Sequence, residues 1–165
     1  MRGNSRALAL LVFIMGMAGL ACSPMGEEGR VRKQFDLLSE RISVEPGEKP
    51  LAVARKIHNL ETLFAPQCTL KAHIDAYSGA YTPGEIADRA AGLRSQFSRL
   101  TLQFFDIDIG FPRHGLAMVR ATARLTGATP SGEALDETHE LSCSLVPSDG
   151  AWLFTRVEVV EVLRR

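Results

Sequence analysis

Residues 101–127, TLQFFDIDIGFPRHGLAMVRATARLTG, alternate apolar and polar side chains on both sides of a turn marked by Pro112 and Gly115. A period of two is typical of β-strands that bury one face. The stretch therefore predicts two long strands, Thr101–Ile109 and Leu116–Gly127, joined by a short turn. Because a short turn joins strands that lie side by side, these two strands should pair antiparallel.

The same pattern continues towards the C-terminus. Further strands are predicted over Ala134–Val146 and Ala151–Leu163, after turns at 130–132 (Pro-Ser-Gly) and 149–150 (Asp-Gly). With the first pair they form a four-stranded antiparallel meander. A shorter strand is predicted over Cys68–Ile74.

Three amphipathic helices are predicted before the meander. The third has the clearest start, because Thr82-Pro83-Gly84-Glu85 has the form of a capping box with proline at the first helical position. The apolar residues that recur at helical spacing are Val31, Phe35, Leu38 and Ile42 in the first, Val53, Ile57, Leu60 and Phe64 in the second, and Ile86, Ala90, Leu93, Phe97 and Leu100 in the third.

The charged residues of the meander suggest a register. If Arg124 lies opposite Asp136, Arg120 lies opposite Glu140, and Asp106 can flank Arg120 from the first strand. The other face then collects the apolar side chains, and a slip by one residue would scramble both faces. The facing of Arg156 and Glu158 in the last strand stays open.

Glu137 and His139 are the most interesting polar pair in the sequence. They stand two apart on one strand and so share a face, which in this register is the apolar one, opposite Ala123 and Ala121. A carboxylate there must be paired or in contact with water. Two interpretations remain: an acid–base pair in a wet pocket, or a solvated or mutually bonded pair at its rim.

This order of elements, three helices with a short strand before the third and a long meander after it, resembles the nuclear transport factor 2-like (SnoaL-like) superfamily. The local likeness is strongest from Tyr77 through Tyr81 into the third helix, and the overall likeness covers residues 30–165. The resemblance implies an α+β fold in which helices pack on a strongly curved, cone-like antiparallel sheet. It also implies a pocket, and leaves both a homodimer and an enzymatic role open. The expected pocket residues are Phe105, Val119, Ala121, Ala123, Glu137, His139, Leu141 and Tyr77.

The first 21 residues are typical of a signal peptide. Arg2 and Arg6 precede an uncharged apolar run over 7–18 that is short for a membrane span. The stretch Gly19-Leu20-Ala21-Cys22 resembles a lipobox, in which the cysteine is lipidated and becomes the new N-terminus. We therefore expect a lipid on Cys22, a tether over 22–29, and a domain anchored in the bacterial cell envelope, facing the periplasm from the outer membrane in a Gram-negative cell.

Other functional classes find little support. The formal net charge of +0 and the lack of a basic cluster argue against nucleic acid. No metal site and no cofactor is expected, because histidine and cysteine lack ligand spacing and no phosphate loop is present. Cys68 and Cys143 could form a disulfide in an oxidising compartment, which the sequence leaves open.

These observations favour a binding or interaction module of the envelope that takes a small apolar ligand or a peptide. An acid–base lyase or isomerase using Glu137 and His139, and a structural dimeric scaffold, are the alternatives.

Overall fold

The computed structural model describes residues 26–72 and 77–162. The predicted signal peptide, Cys22 and residues 23–25 of the predicted tether lie outside the described residues. Residues 27–29 of that tether lie in the first turn of a helix. The elements, in chain order, are α1 (Glu27–Ile42), α2 (Pro50–Glu61), β1 (Phe64–Lys71), β2 (Gly79–Tyr81), α3 (Pro83–Ser95), β3 (Arg99–Arg113), β4 (Leu116–Ala128), β5 (Ala134–Ser148) and β6 (Ala151–Val162).

The strands of the described chain form one mixed sheet in the order β2-β1-β6-β5-β4-β3. The predicted meander from β3 to β6 is confirmed. The sheet is not purely antiparallel, however, because β1 runs parallel to β6, and the unpredicted short strand β2 pairs with the outer edge of β1. The helices pack on the curved sheet, so the α+β, cone-like architecture is confirmed.

The helix boundaries depart from prediction where an apolar residue belongs to a strand. Phe64 begins β1, although its spacing matched the second helical stripe. Leu100 lies in β3 beyond the end of α3, and Val44 pairs with it in an isolated bridge. The predicted start of α3 is confirmed: the amide of Glu85 donates to Thr82 Oγ1, and Glu85 Oε2 accepts a 2.8 Å bond from the Thr82 amide.

Aromatic rings join α1 to the concave face of the sheet. The ring of Phe35 meets Phe104 and Phe154 edge-on, each at a centroid separation of 5.2 Å. Phe35, Phe154 and Trp152 are buried. These contacts fix α1 across β3 and β6, and edge-to-face packing of this kind adds to the energy of burial.

The register between β4 and β5 differs from the predicted one by two residues. Arg124 lies opposite Thr138, and Asp136 lies opposite Thr126. Since side chains alternate with a period of two, the faces are as predicted although the partners are not. The long side chain of Arg124 still reaches Asp136 diagonally and donates two hydrogen bonds to it, of 2.9 and 2.7 Å. These bonds raise the pKa of Arg124.

A β-bulge in β3 overturns the predicted facing of Phe105. The register shifts between Phe105 and Asp108, and Asp106 within the bulge has a φ of 50°. Phe104 therefore packs on the core, whereas Phe105 is 44% exposed on the opposite face. Beyond the bulge, Asp108 rather than Asp106 lies opposite Arg120.

Bulges in β6 settle the facing of the last strand. Arg156 lies opposite Ser144, and Glu158 lies opposite Ser142, on the face away from the helices. The guanidinium donates two bonds to Glu158 Oε2, at 3.1 and 2.7 Å, and they lower the pKa of that carboxyl.

Candidate functional site

Glu137 and His139 project from the same face of β5 and contact each other. His139 Nε2 lies 3.1 Å from Glu137 Oε2. The imidazole is 24% exposed and the carboxylate 53% exposed. The carboxylate of Glu137 is therefore in contact with solvent, whereas the imidazole of His139 is more deeply buried.

The surroundings of His139 are apolar across the neighbouring strands. It lies opposite Ala123 of β4, not opposite Ala121 as predicted, and Ala123 lies opposite Phe104 of β3. Glu137 lies opposite Leu125. The alanine beside the imidazole is buried, at 6% exposure.

His139 Nδ1 is buried and has no hydrogen-bond partner within the part of the chain that the structure describes. Leaving a buried polar atom without a partner costs about 1–3 kcal/mol. Nδ1 can therefore still form a hydrogen bond, while Nε2 of the same ring contacts the Glu137 carboxylate. This free hydrogen-bonding capacity distinguishes the pair from the apolar residues around it.

The remaining predicted pocket residues divide into two groups. Val119, Ala121 and Leu141 belong to the packed apolar floor of the concave face, together with Ala123. Phe105 and Tyr77 do not: the bulge places Phe105 on the other face, and Tyr77, just before β2, is exposed.

Cys68 and Cys143 are both buried and both free. The strand β6 lies between β1 and β5, so about two strand spacings separate their backbones, roughly 9–10 Å. A disulfide needs Cα atoms within about 4.4–6.8 Å, and the disulfide that the sequence left open is therefore not formed. Burial raises the pKa of Cys68 to about 11, and that of Cys143 to about 12 with a smaller contribution from Cys68.

Residues 26–72 and 77–162 contain neither a candidate metal cluster nor a candidate membrane-spanning helix. No group of three or more His, Cys, Asp or Glu side chains there could hold a metal ion. None of the helices in these ranges is long and apolar enough to cross a membrane.

The sequence did not predict the depression that lies on α1. Arg30, Lys33 and Arg41 line it, together with Leu63 and Gly150 from elsewhere in the chain. The three cations lie on one helical face, at spacings of three and eight residues, and this pattern was the available signal. The contribution of the distant segments could not be read from the sequence.

Comparison with known proteins shows the fold and no closer relationship. No protein-family model matches the sequence, and no curated protein is similar to it. Among solved structures, it is similar to Rv3472, a protein of unknown function from Mycobacterium tuberculosis, with 14% identity and a TM-score of 0.66 over 84% of this chain and 77% of that one.

Two further structures have the same fold. The Kfla4162 protein from Kribbella flavida is 7% identical, with a TM-score of 0.69 over 84% of this chain and 93% of that one. A type 2 hexachlorocyclohexane dehydrochlorinase (LinA) is 10% identical, with a TM-score of 0.63 over 82% and 86%. The domain has the nuclear transport factor 2-like fold, which an enzyme and a protein of unknown function share, so the fold leaves the function open.

Proposed function

We propose that this chain is an exported envelope lipoprotein whose domain binds a small ligand on the concave face of the sheet. His139 and Glu137 provide the polar contacts, and the apolar floor around Ala123 holds the remainder of the ligand. The observation that supports this most directly is that Nδ1 of His139, on an apolar face, is buried and has no hydrogen-bond partner among the described residues.

The pair also indicates what the ligand must offer. An ionised carboxylate only accepts hydrogen bonds, so the 3.1 Å contact requires the hydrogen on His139 Nε2. In the neutral imidazole Nδ1 is then an acceptor. The ligand should therefore present a hydroxyl or N–H donor next to an apolar body.

The test is native mass spectrometry of the processed chain, purified in mild detergent from the envelope of its own host. We expect an extra mass on the wild-type protein that His139→Ala loses. His114→Ala is the matched control, because His114 is exposed in the turn between β3 and β4. A bare wild-type protein, or equal occupancy in His139→Ala, would contradict the proposal; a bare dimer would favour the scaffold alternative.

An acid–base enzyme is the second candidate, and the carboxylate–imidazole contact specifically favours it. Glu137 orients the imidazole through Nε2, which leaves Nδ1 to take a proton from a bound substrate. The ligand recovered from the host should then be converted by the wild-type chain, and Glu137→Gln should bind it without converting it. If the ligand is recovered unchanged after incubation with the wild-type chain, the enzyme proposal is contradicted and the binding-module proposal remains.

The envelope location has its own support and its own test. The charged start, the apolar run over 7–18 and the Gly19–Cys22 stretch support processing and lipidation at Cys22. We expect radiolabelled palmitate to enter the wild-type chain and not Cys22→Ser, while Cys68→Ser keeps the label. Label on Cys22→Ser, or a soluble unlabelled wild-type chain, would contradict the anchor.

A further inference from the structure

The depression on α1 has the size of a small-molecule site. Its volume is about 450 Å³, within the range of ligand pockets. One wall is the face of α1 that carries Arg30, Lys33 and Arg41. The junction of α2 and β1, at Thr62, and the β5–β6 turn, at Gly150, form the rest.

The charge of this depression is of one sign. Its lining includes two arginines and a lysine and no carboxylate. Within residues 26–72 and 77–162, none of the three cations forms an ion pair, whereas Arg32 on the opposite side of α1 pairs with Glu28 at 3.2 Å. Mutual repulsion of three unpaired cations must be offset by solvent or by an anion.

The guanidinium groups also lack acceptors that match their charge. Arg30 Nε is buried without a hydrogen-bond partner among the described residues. Within the described parts of the chain, Arg41 Nη1 donates to two neutral oxygens, the carbonyl of Asn59 and the hydroxyl of Thr62. Burial lowers the pKa of Arg41, with an opposing effect from Glu40. A bound anion would compensate for this desolvation.

We propose that this depression binds the phosphate group of a small organic ligand. Guanidinium groups bind phosphate oxygens through paired N–H donors, and Lys33 adds a mobile charge at the edge. The volume exceeds that of a bare ion, so the rest of the ligand lies along Leu37, between Arg30 and Arg41.

The phosphate can come from two sources. One is a soluble phosphate ester. The other is the headgroup of an anionic phospholipid, which rests on the proposed anchor at Cys22, eight residues before Arg30. The phosphate site itself does not depend on the anchor.

The first test is calorimetric titration of the processed chain with glycerol 3-phosphate at low salt. We expect binding that weakens about tenfold in Arg30→Gln and in Lys33→Gln and stays unchanged in Arg32→Gln, the matched control on the same helix. Lys33 is exposed, so its variant should fold even if the Arg30 variant does not. An equal loss in Arg32→Gln would overturn the site, because it would show only the net charge of the helix.

The second test separates the sources by hydrogen exchange of the chain in phospholipid nanodiscs. If residues 30–41 and 149–151 are protected in discs that contain phosphatidylglycerol but not in phosphatidylcholine discs, the bound phosphate belongs to a lipid headgroup. Protection only after adding glycerol 3-phosphate assigns a soluble ester. No heat in the titration and no protection in any disc would overturn the proposal, while leaving ligand binding at His139 untouched.

Discussion

The guanidinium of Arg94, in the last turn of α3, donates a 2.6 Å hydrogen bond to Glu48 Oε2 in the loop between α1 and α2. Only 3% of the Arg94 side chain and 10% of the Glu48 side chain are exposed. Arg94 Nη1 also donates to the carbonyls of Arg41, at 2.6 Å, and Ser43, at 2.5 Å. Lys56 of α2 contacts the other carboxylate oxygen. The carboxylate therefore joins α2 to α3, and Arg94 joins them to α1 through the Arg41 carbonyl.

Replacing Glu48 by glutamine should destabilise the fold by about 3 kcal/mol, because two cations lose their compensating charge in a buried setting. Urea unfolding followed by the fluorescence of Trp152, the single tryptophan and fully buried, measures this change. The control is Glu28→Gln, whose ion pair with Arg32 is exposed and should contribute less than about 0.5 kcal/mol. Equal effects of the two variants would contradict a special role for Glu48.

The bulge in β3 predicts opposite effects of two substitutions at Asp106. Its φ of 50° is costly for side chains, so Asp106→Gly should stabilise the domain slightly and Asp106→Val should destabilise it by about 2 kcal/mol. Asp108→Val is the matched control, because Asp108 is an exposed residue paired in the regular ladder. Thermal unfolding compares the three variants, and a similar loss in both valine variants would count against strain at the bulge.

The buried cysteines should be chemically silent in the folded protein. With pKa values of about 11 for Cys68 and about 12 for Cys143, thiolate is scarce at pH 8, and both sulfurs are shielded from reagent. We expect iodoacetamide to label both only after unfolding in urea. Peptide mass spectrometry identifies the labelled residues; rapid labelling of the native chain, or a linked Cys68–Cys143 peptide, would refute the assignment.

The capping box predicts an acid-sensitive start of α3. Hydrogen bonds from the backbone and then the side chain of Thr82 lower the pKa of Glu85. Since the folded pKa is depressed, the stability from this group is present above the unfolded value of about 4.3 and is lost as the pH falls through the folded pKa. Carbon-detected NMR titration should place Glu85 below ordinary glutamates, and Thr82→Ala should return it towards them. If Glu85 of the wild type titrates with the midpoint of an ordinary glutamate, the capping box is not formed in solution.

The sequence predicted best what depends on local periodicity. The four long strands, the three helices and the start of α3 follow from side-chain alternation and capping, which act between near neighbours. The register was less certain, because a shift by two residues keeps every side chain on its face. Arg124 and Asp136 show this: they do bond, but diagonally rather than face to face.

What the sequence could not predict depends on distant segments or on backbone irregularity. The pairing of β1 with β6, the Glu48–Arg94 pair and the depression on α1 each join residues far apart in the chain. The bulge at Asp106 exchanged Phe104 for Phe105 on the core face. The candidate pair Glu137–His139 was found because residues two apart on one strand share a face. That Nδ1 of His139 is buried without a partner among the described residues depends on the three-dimensional packing, which the sequence does not give.

The position of β6 between β1 and β5 has a consequence for how the protein is made. Among the described strands, β6 is synthesised last and joins β1 to β5, so a growing chain cannot close its core before residues 151–162 have been added. Contacts of such long sequence separation form slowly. A nascent chain of this protein therefore keeps its core open until β6 has been synthesised.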